Sequence, residues 1–220
     1  MSSSKPIRAV MFDLDGTLLD TAPDLGLALN IQRERHDLPP LPQNTIRPYA
    51  SHGSKGLLSV GFGLTPEHVN FGDMREEYLA IYDEVMMQSP VLFDGMQELL
   101  AALEHKGLRW GIVTNKPRRF TGPILNKMGL DNRAACVVCG DDAPRAKPFP
   151  DTLFKACELT GTRVDECLYV GDAERDIQAG KAAGMRTVIS LYGYIDDADK
   201  PHEWEADGAI QHPSELLALL

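Results

Sequence analysis

Five short apolar runs along the chain predict buried β-strands. Each has six or seven residues and is rich in β-branched and other apolar side chains, which is typical of strands inside a sheet. The predicted strands are residues 7–12, 108–114, 135–140, 167–172 and 186–191. The pattern therefore predicts the buried sheet of a globular protein.

Amphipathic helical patterns lie between the later strands, in residues 96–107 and 149–161. Gly107 and Gly161 are stop signals at their ends. The residues predicted to face the core are Leu99, Leu100, Leu103, Leu153, Phe154 and Cys157. Strands that alternate with helices indicate parallel strands joined by helical crossovers. The predicted fold class is therefore α/β, with a Rossmann-like parallel sheet and helices on both faces.

The first connection is much longer than a single crossover. The first two predicted strands end near residues 12 and 113, so about 70 residues exceed what one crossover needs. The excess, residues 21–89, has helical patterns, with Thr21 as a possible helix cap. We predict an α/β core of residues 1–20 and 90–220, and an inserted helical cap domain of residues 21–89 that can fold over the strand ends.

Polar side chains follow four of the predicted strands. They are Asp13, Asp15, Thr114, Asn115, Lys147 and Asp172. Open α/β sheets bind ligands beyond the carboxyl ends of their strands, so these side chains are expected to converge. Three crowded carboxylates, those of Asp13, Asp15 and Asp172, are tolerable if a divalent cation neutralises them, and hard oxygen ligands select Mg²⁺. Gly16 is expected to leave backbone N–H groups free for phosphate oxygens, so the set suits phosphoryl transfer.

Four motifs resemble those of the haloacid dehalogenase superfamily of phosphohydrolases. They are DLDGTLLD from Asp13, the Thr114 of VTNK, the Lys147 of AKPFPD, and GDAERD from Gly171 to Asp176. The resemblance covers nearly the whole chain, including an insertion where that family carries a helical type 1 cap. Within the superfamily the chain is similar to phosphoglycolate phosphatases. Its VTNKPRRF, LFDGM and YGYI segments also resemble N-acetylmuramic acid 6-phosphate phosphatases.

The resemblance implies a role for each motif residue. Asp13 is the expected nucleophile that forms an aspartyl-phosphate, and Asp15 the expected acid and base. The implied catalytic set is Asp13, Asp15, Thr114 and Lys147; the implied phosphate-binding set is Gly16, Thr17, Thr114, Asn115 and Lys147; and the implied Mg²⁺ set is Asp13, Asp15, Asp172 and Asp176. Asp15 is expected to act on the metal through its backbone carbonyl, and Asp176 through the metal's water shell.

Two groups of cationic residues are candidates for substrate contacts. Arg47, His52 and Lys55 lie in the predicted cap and could recognise a second polar group of the substrate. Arg118 and Arg119 follow the Thr114 strand end closely and could lie near the site. For both groups the alternative is a solvated surface residue.

Composition narrows the choice of partners. The net charge is −10, and 22 basic residues are scattered among 32 acidic ones, which argues against nucleic acid. No apolar stretch is long enough to span a membrane or to form a signal-peptide core, so a cytoplasmic protein is expected. Cys136 and Cys139 have a CxxC spacing, but they lie in an apolar strand without further ligand residues nearby, which favours a structural interpretation.

The sequence therefore predicts a Mg²⁺-dependent phosphatase that acts on a small phosphorylated metabolite. Phosphoglycolate is the first candidate substrate, and N-acetylmuramic acid 6-phosphate or another sugar phosphate is the alternative. A phosphosugar mutase on the same scaffold and a phosphate-accepting signalling receiver module stay open. A dehalogenase is less favoured, because Asp15 and the metal carboxylates have no task in attack on carbon.

Overall fold

A computed structural model describes residues 6–196 and 198–220, and its main sheet has six parallel strands. The strands are β1 (Ala9–Phe12), β4 (Arg109–Val113), β5 (Val137–Val138), β6 (Cys167–Gly171), β7 (Arg186–Ser190) and β8 (Gly208–Ile210). Their order across the sheet is β5-β4-β1-β6-β7-β8. β1 is hydrogen-bonded on both sides, to β4 and to β6. The sheet therefore places the strand that precedes Asp13 at its centre.

Helices cover both faces of this sheet. Within the described residues they are α1 (Ala22–Arg35), α2 (Gln43–Ile46), α3 (Gly53–Phe62), α4 (Phe71–Val85), α5 (Met96–His105), α6 (Arg118–Met128), α7 (Asp151–Thr160) and α8 (Glu174–Ala183). In β1, Val10 and Phe12 pack in the core with α5 and α6. Ala9 and Met11 pack on the opposite face with α7 and α8. Side chains alternate along a strand, so one fully apolar strand supplies two cores. The predicted α/β class is confirmed.

A short antiparallel ribbon carries the chain out of the sheet and back. Its strands are β2 (Leu19–Asp20) and β3 (Val91–Leu92). Helices α1 to α4 lie between them, and α1 packs against α3 and α4. A 3₁₀ segment, Arg47–His52, precedes α3. The predicted cap limits, residues 21 and 89, fall at the ends of this ribbon and stay a prediction.

Several local predictions differ from the structure, among them the predicted strand at residues 135–140, which is only two residues long, Val137–Val138. Strand β8 is only three residues long and was not predicted. Phe154 does not face the core, since its side chain is 48% exposed and the buried side of α7 is formed by Leu153, Ala156 and Cys157. Phe154 lies about 100° around the helix from Leu153, on the side away from Ala156, which places its side chain outside the buried arc. Thr21 precedes α1 but makes no side-chain cap, because its hydroxyl is bonded elsewhere.

Two further features bear on partners. Within the described part of the chain, no helix is both long and apolar enough to cross a membrane. All four cysteines are buried and free of disulfide bonds. Cys136 and Cys139 belong to the sheet and its packing, as their apolar surroundings predict.

Candidate active site

The backbone register brings the predicted site residues to one edge of the sheet. The Asp13 N–H donates to the Val170 carbonyl at 2.9 Å, and the Thr114 N–H donates to the Val138 carbonyl at 2.9 Å. These bonds continue the ladder one residue past β1 and β4. Asp13 and Thr114 therefore stand at neighbouring strand ends, where parallel α/β sheets place their ligands.

Three carboxylates form a buried cluster at this edge. Asp13, Asp172 and Asp176 each offer an oxygen, and these oxygens lie within 4.8 Å of one another. The three residues are at most 3% exposed. Burial, followed by the negative charges of Asp176 and Asp13, raises the pKa of Asp172 from 3.8 to about 7. Burial also raises the pKa of Asp13, against the opposing charge of Lys147. The cluster is therefore short of positive charge.

Lys147 supplies the cationic side chain inside this cluster. Its Nζ lies 2.9 Å from Asp13 Oδ1 and 2.8 Å from Asp176 Oδ1, and its side chain is fully buried. The ammonium also donates to the Val113 carbonyl at 3.0 Å and to the Tyr169 hydroxyl at 2.7 Å. It is thus held in one position between the two carboxylates. Lys147 and the nearby Arg175 guanidinium together face three carboxylates, so the cluster still carries excess negative charge.

Asn115 acts on the backbone of Lys147. Its side-chain oxygen accepts from the Lys147 N–H at 2.9 Å, and its side-chain NH₂ donates to the Lys147 carbonyl at 2.9 Å. This pair of hydrogen bonds ties the loop after β5 to the end of β4. Asn115 borders the cavity, but the structure accounts for it as the residue that positions Lys147, which the sequence did not indicate.

Gly16 and Thr17 pack against Asp172. A Cβ on Gly16 would lie 2.1 Å from Asp172 Oδ2, and the residue has a φ of 86°, so both space and backbone favour glycine. The Gly16 N–H donates a hydrogen bond to the Leu19 carbonyl at 3.0 Å. The Thr17 hydroxyl lies 3.3 Å from Asp172 Oδ1. The turn therefore uses the Gly16 N–H itself, and the expectation that Gly16 leaves backbone N–H groups free for phosphate stays a prediction.

Asp15 points away from the carboxylate cluster. Its Oδ1 accepts from the Thr21 hydroxyl at 2.5 Å and lies 3.0 Å from Lys116 Nζ. Sequence reasoning missed Lys116, although it stands in the VTNK motif two residues after Thr114. A lysine so close to a strand end was the available signal. The carboxylates of Asp13 and Asp15, the two acidic residues of the DLD motif, therefore have different partners.

A cavity of about 550 Å³ lies between the strand ends and the inserted helices. Asp13 and Asp15 are at its sheet side, and Tyr82 is on its helical side. The other polar residues that border it include Ser51, His52, Ser54, Lys55, Arg75, Thr114, Asn115, Lys116, Lys147 and Arg175. Pockets that enclose small-molecule ligands usually have about 300–1,000 Å³. The inserted helices thus roof a ligand-sized space over Asp13.

The candidate cap residues divide into two groups. His52 and Lys55 border the cavity. Desolvation, followed by the charge of Arg175, lowers the pKa of His52, so this side chain is neutral at pH 7. Arg47 is not among the bordering residues: its guanidinium pairs with Asp20 at 2.8 Å and stacks over the Tyr194 ring at 4.9 Å. Arg47 therefore ties the inserted helices to the ribbon, which a lone arginine in the sequence does not reveal.

The two arginines after Thr114 also have other partners. Arg118 pairs with Asp142, and Arg119 stacks over the Phe120 ring at 4.3 Å. Neither borders the cavity. Both lie in the first turn of α6, and Arg118 also donates to the Val137 carbonyl of β5 at 2.8 Å.

Two contacts hold the inserted helices against the carboxylate cluster. The Ser51 hydroxyl donates to Asp172 Oδ2 at 2.6 Å. Arg175 donates through Nη2 to the Ser51 carbonyl at 2.6 Å. Neither residue was predicted to belong to the site. Ser51 lies in a polar, glycine-containing stretch whose docking depends on tertiary structure.

The arrangement can do a specific kind of chemistry. A buried carboxylate with a fixed lysine is suited to attack an electrophile, and a second carboxylate on the other side can exchange a proton. Cationic side chains and the hydroxyl of Thr114 favour an anionic ligand. The oxygen donors of the cluster are of the type that Mg²⁺ prefers.

Known proteins resemble this chain along nearly its whole length. Residues 10–190 match the family described as haloacid dehalogenase-like hydrolase. An N-acetylmuramic acid 6-phosphate phosphatase of Pseudomonas aeruginosa is 41% identical over 97% of this chain and 95% of its own. A phosphoglycolate phosphatase of Xanthomonas campestris is 40% identical over 95% and 94%. The crystal structure of a predicted phosphoglycolate phosphatase from Haemophilus somnus 129pt superposes with a TM-score of 0.84 at 26% identity, covering 99% of both chains.

Proposed function

Because the chain belongs to the haloacid dehalogenase-like hydrolase family, we propose that it is a Mg²⁺-dependent phosphatase that hydrolyses a small phosphomonoester through an aspartyl-phosphate at Asp13. One observation carries the proposal. Asp13 is a buried carboxylate at the floor of a ligand-sized cavity, fixed by Lys147 at 2.9 Å and adjoined by two further acidic side chains. Relatives named as phosphatases, at 40–41% identity, support the same reaction class.

The donor set fits Mg²⁺. Asp13 and Asp172 would hold the ion through carboxylate oxygens, and Asp15 through its backbone carbonyl. Asp176 has one oxygen on Lys147 and the other on the Ala173 N–H at 3.0 Å, which suits a supporting role through the metal's water shell. When bound, Mg²⁺ offsets negative charge on the cluster and on the phosphoryl group.

The reaction has two steps, and each of the chain's own residues has a separate role in them. An Asp13 oxygen attacks phosphorus, the bond to the leaving oxygen breaks, and Asp15 gives that oxygen a proton. Asp15 next takes a proton from a water molecule, which attacks the aspartyl-phosphate and releases inorganic phosphate. Thr114 and Lys147 hold phosphoryl oxygens, and Lys147 keeps Asp13 oriented. The products are an alcohol, phosphate and the original Asp13 carboxylate.

Mg²⁺ is expected to stabilise the fold more at high pH than at low pH. A carboxyl whose pKa is raised on folding, such as Asp172 at about 7, destabilises the fold as pH rises from 3.8 to 7. Mg²⁺ needs the ionised form, so it reverses this loss only above that pKa. Thermal unfolding in millimolar Mg²⁺ against EDTA should give a Tm increase of about 5 °C or more at pH 8 and under about 2 °C at pH 5.

Asp172→Asn is the control for this measurement, because it removes the titrating carboxyl at nearly constant volume. It should abolish most of the Mg²⁺-induced Tm increase at pH 8. Equal Mg²⁺ effects on the wild-type Tm at both pH values would contradict the assignment of Asp172 to the metal site.

Two cationic side chains of the cavity suggest the substrate class. Lys55 and Arg75 border the cavity from α3 and α4. Arg75 donates to the Ser54 hydroxyl at 3.2 Å, and within the described residues neither cation has a carboxylate at ion-pairing distance. Unpaired cations in a ligand cavity favour an anionic group on the ligand. The proposed substrate is therefore a phosphomonoester that also carries a carboxylate.

Phosphoglycolate and N-acetylmuramic acid 6-phosphate both meet this description. Phosphoglycolate is the first candidate from the sequence. The cavity of about 550 Å³ lies within the usual range for drug-sized ligands, about 300–1,000 Å³, and it is large for a two-carbon acid. Cavity size thus supports the larger sugar acid as the second candidate. The two esters are the first pair to compare by kcat/KM.

Replacing Lys55 or Arg75 with Ala is expected to raise KM for carboxylate-bearing esters by about 10-fold, which corresponds to about 1.4 kcal/mol. KM for p-nitrophenyl phosphate, which has no carboxylate, should change less than about 2-fold, since phosphate binding remains. Arg35→Ala is a matched control, because Arg35 is exposed at the end of α1 and does not border the cavity. Equal changes for both kinds of ester would rule out carboxylate recognition.

Phosphate release from a panel of metabolites tests the proposed function directly. The purified protein with Mg²⁺ should release inorganic phosphate over many turnovers, and EDTA should stop it. A phosphosugar mutase would instead return an isomeric sugar phosphate, and a receiver module would take up a single phosphoryl group without turnover. Either of these results would replace the phosphatase proposal.

We also propose a cytoplasmic enzyme without nucleic-acid or membrane partners. The free, buried cysteines fit a reducing compartment. The acidic net charge of −10 disfavours binding to phosphate backbones.

A further inference from the structure

Lys116 forms a shielded ion pair with Asp15. Its Nζ lies 3.0 Å from Asp15 Oδ1 and 3.3 Å from Oδ2. The Lys116 side chain is 6% exposed and that of Asp15 is 16% exposed. Exposed ion pairs contribute little because water screens them, whereas a shielded, hydrogen-bonded pair restricts both side chains. None of the roles proposed above, on the metal, the phosphoryl group or the carboxylate, uses this lysine.

An aromatic side chain of α4 holds the other side of the ammonium. Lys116 Nζ donates to the Tyr82 hydroxyl at 2.7 Å and lies 4.7 Å from the centre of the Tyr82 ring. Burial raises the pKa of Tyr82 well above its usual range, so its hydroxyl stays neutral and accepts this bond. The Tyr82 ring stacks on Tyr78 and makes an edge contact with Phe120, and these two contacts fix Tyr82 in place. The lysine therefore has a rigid support.

We propose that Lys116 is the residue that positions the Asp15 carboxylate for proton transfer, and that Tyr82 acts through Lys116. The inference rests on the proposed function, in which Asp15 protonates the leaving oxygen. General acid catalysis depends on a carboxyl that stays within hydrogen-bond reach of the oxygen it serves. Among the described residues the Asp15 carboxylate has two side-chain partners, Lys116 and the Thr21 hydroxyl, and it loses one of them without Lys116.

The leaving group of the substrate separates this role from substrate binding. An alkoxide leaves only when it receives a proton, whereas p-nitrophenolate is a stable anion that leaves without one. Misplacement of Asp15 should therefore slow attack on alkyl phosphates and affect the aryl phosphate much less. A lysine that merely bound substrate would change KM for both esters together.

The test compares Lys116→Met with the wild type on three esters, in Mg²⁺. The alkyl probes are 2-phosphoglycolate and N-acetylmuramic acid 6-phosphate, and the aryl probe is p-nitrophenyl phosphate. For the alkyl ester that the wild type hydrolyses, we expect kcat/KM to fall by about 100-fold, through a lower kcat. For the aryl ester we expect kcat/KM to fall by less than about 5-fold. Lys116→Arg, which keeps the charge, should recover part of the alkyl activity.

A double-mutant cycle with Tyr82→Phe tests the second half of the inference. This change removes the hydroxyl and keeps the ring. It should lower alkyl kcat/KM by about 5-fold in the wild type and by less than about 2-fold in Lys116→Met, because residues that act through one another are not additive. Equal effects in both backgrounds would show that Tyr82 acts independently of Lys116.

Each result points to one conclusion. Equal losses for alkyl and aryl esters, or a change confined to KM, would overturn the positioning role of Lys116 while leaving the phosphatase proposal intact. A wild-type protein that releases phosphate from none of the esters would overturn both. Lys106→Met is the control for the lysine change, because Lys106 is exposed and does not border the cavity; its kinetics should match the wild type.

Discussion

Asp13→Asn is expected to lower phosphatase turnover by at least about 10⁴-fold, because an amide cannot form the acyl-phosphate bond that divides the reaction into two steps. The fold should survive the change. The amide oxygen of the substituted side chain can still accept from the Leu14 N–H, a bond of 2.7 Å in the wild type. Burial raises the pKa of Asp13, so a neutral side chain at this position should hold or raise the Tm. Steady-state phosphate release and thermal unfolding measure the two effects.

Asp83→Asn controls for the loss of a carboxylate, since Asp83 is exposed on α4 and does not border the cavity. Its activity and Tm should match the wild type. If Asp13→Asn kept more than about one per cent of the wild-type turnover, another group would have to attack phosphorus, and the assignment of Asp13 as the nucleophile would be contradicted.

Lys147→Met is expected to have the largest effect on stability. Lys147 is fully buried between Asp13 and Asp176, and its removal leaves their charges without the ammonium. Breaking a buried ion pair on one side costs about 3–5 kcal/mol. For a chain of this size that corresponds to a Tm decrease of about 10 °C. Activity should fall by at least about 10³-fold, because a phosphate-binding cation and the orientation of Asp13 are both lost.

Asp176→Asn in the Lys147→Met background separates the electrostatic cause from a packing defect. Removing one uncompensated carboxylate should restore several degrees of the lost Tm without restoring activity. The unfolding measurement is best made in EDTA, where no divalent cation replaces the missing charge. A Lys147→Met protein with an unchanged Tm would contradict the role of Lys147 as the counter-charge of the cluster.

Much of the fold was predictable because its signals are local. The buried strands are continuous apolar runs, and β1 lies in the middle of the sheet between β4 and β6, as expected for a strand without polar positions. Residues that follow strands directly, such as Asp13, Thr114 and Asp172, also follow from this pattern. Parallel strands end at one edge, so chain order alone implies that they converge.

The remaining features depend on contacts between distant segments. Arg47 was a candidate substrate residue, yet it pairs with Asp20 and Tyr194, and nothing near it in the chain indicates either partner. Lys116 and Tyr82 are 34 positions apart in the chain, and they come into contact at the border of the same cavity. Strand β8 has three residues, too few to give a period. None of these features has a local pattern in the sequence.

Residues that the sequence did assign can still have different immediate partners. Asn115 was expected on phosphate, but both ends of its amide hold the Lys147 backbone. Gly16 was expected to leave backbone N–H groups free for phosphate, and its lack of a Cβ also allows close approach to Asp172. In both cases residue type indicated the site, and only the structure indicates which neighbour the residue serves.

Chemical trapping of the intermediate tests the central claim most directly. The Asp15→Asn protein is supplied with Mg²⁺ and p-nitrophenyl phosphate. It should still be phosphorylated, because p-nitrophenolate leaves without a proton from Asp15. The acyl-phosphate should then accumulate, because its hydrolysis lacks Asp15 as the base. Acid quenching, borohydride reduction and peptide mass spectrometry should then place homoserine at position 13, and at no other aspartate. A phosphoryl group at another residue, or none while the wild-type protein releases phosphate, would contradict nucleophilic attack by Asp13.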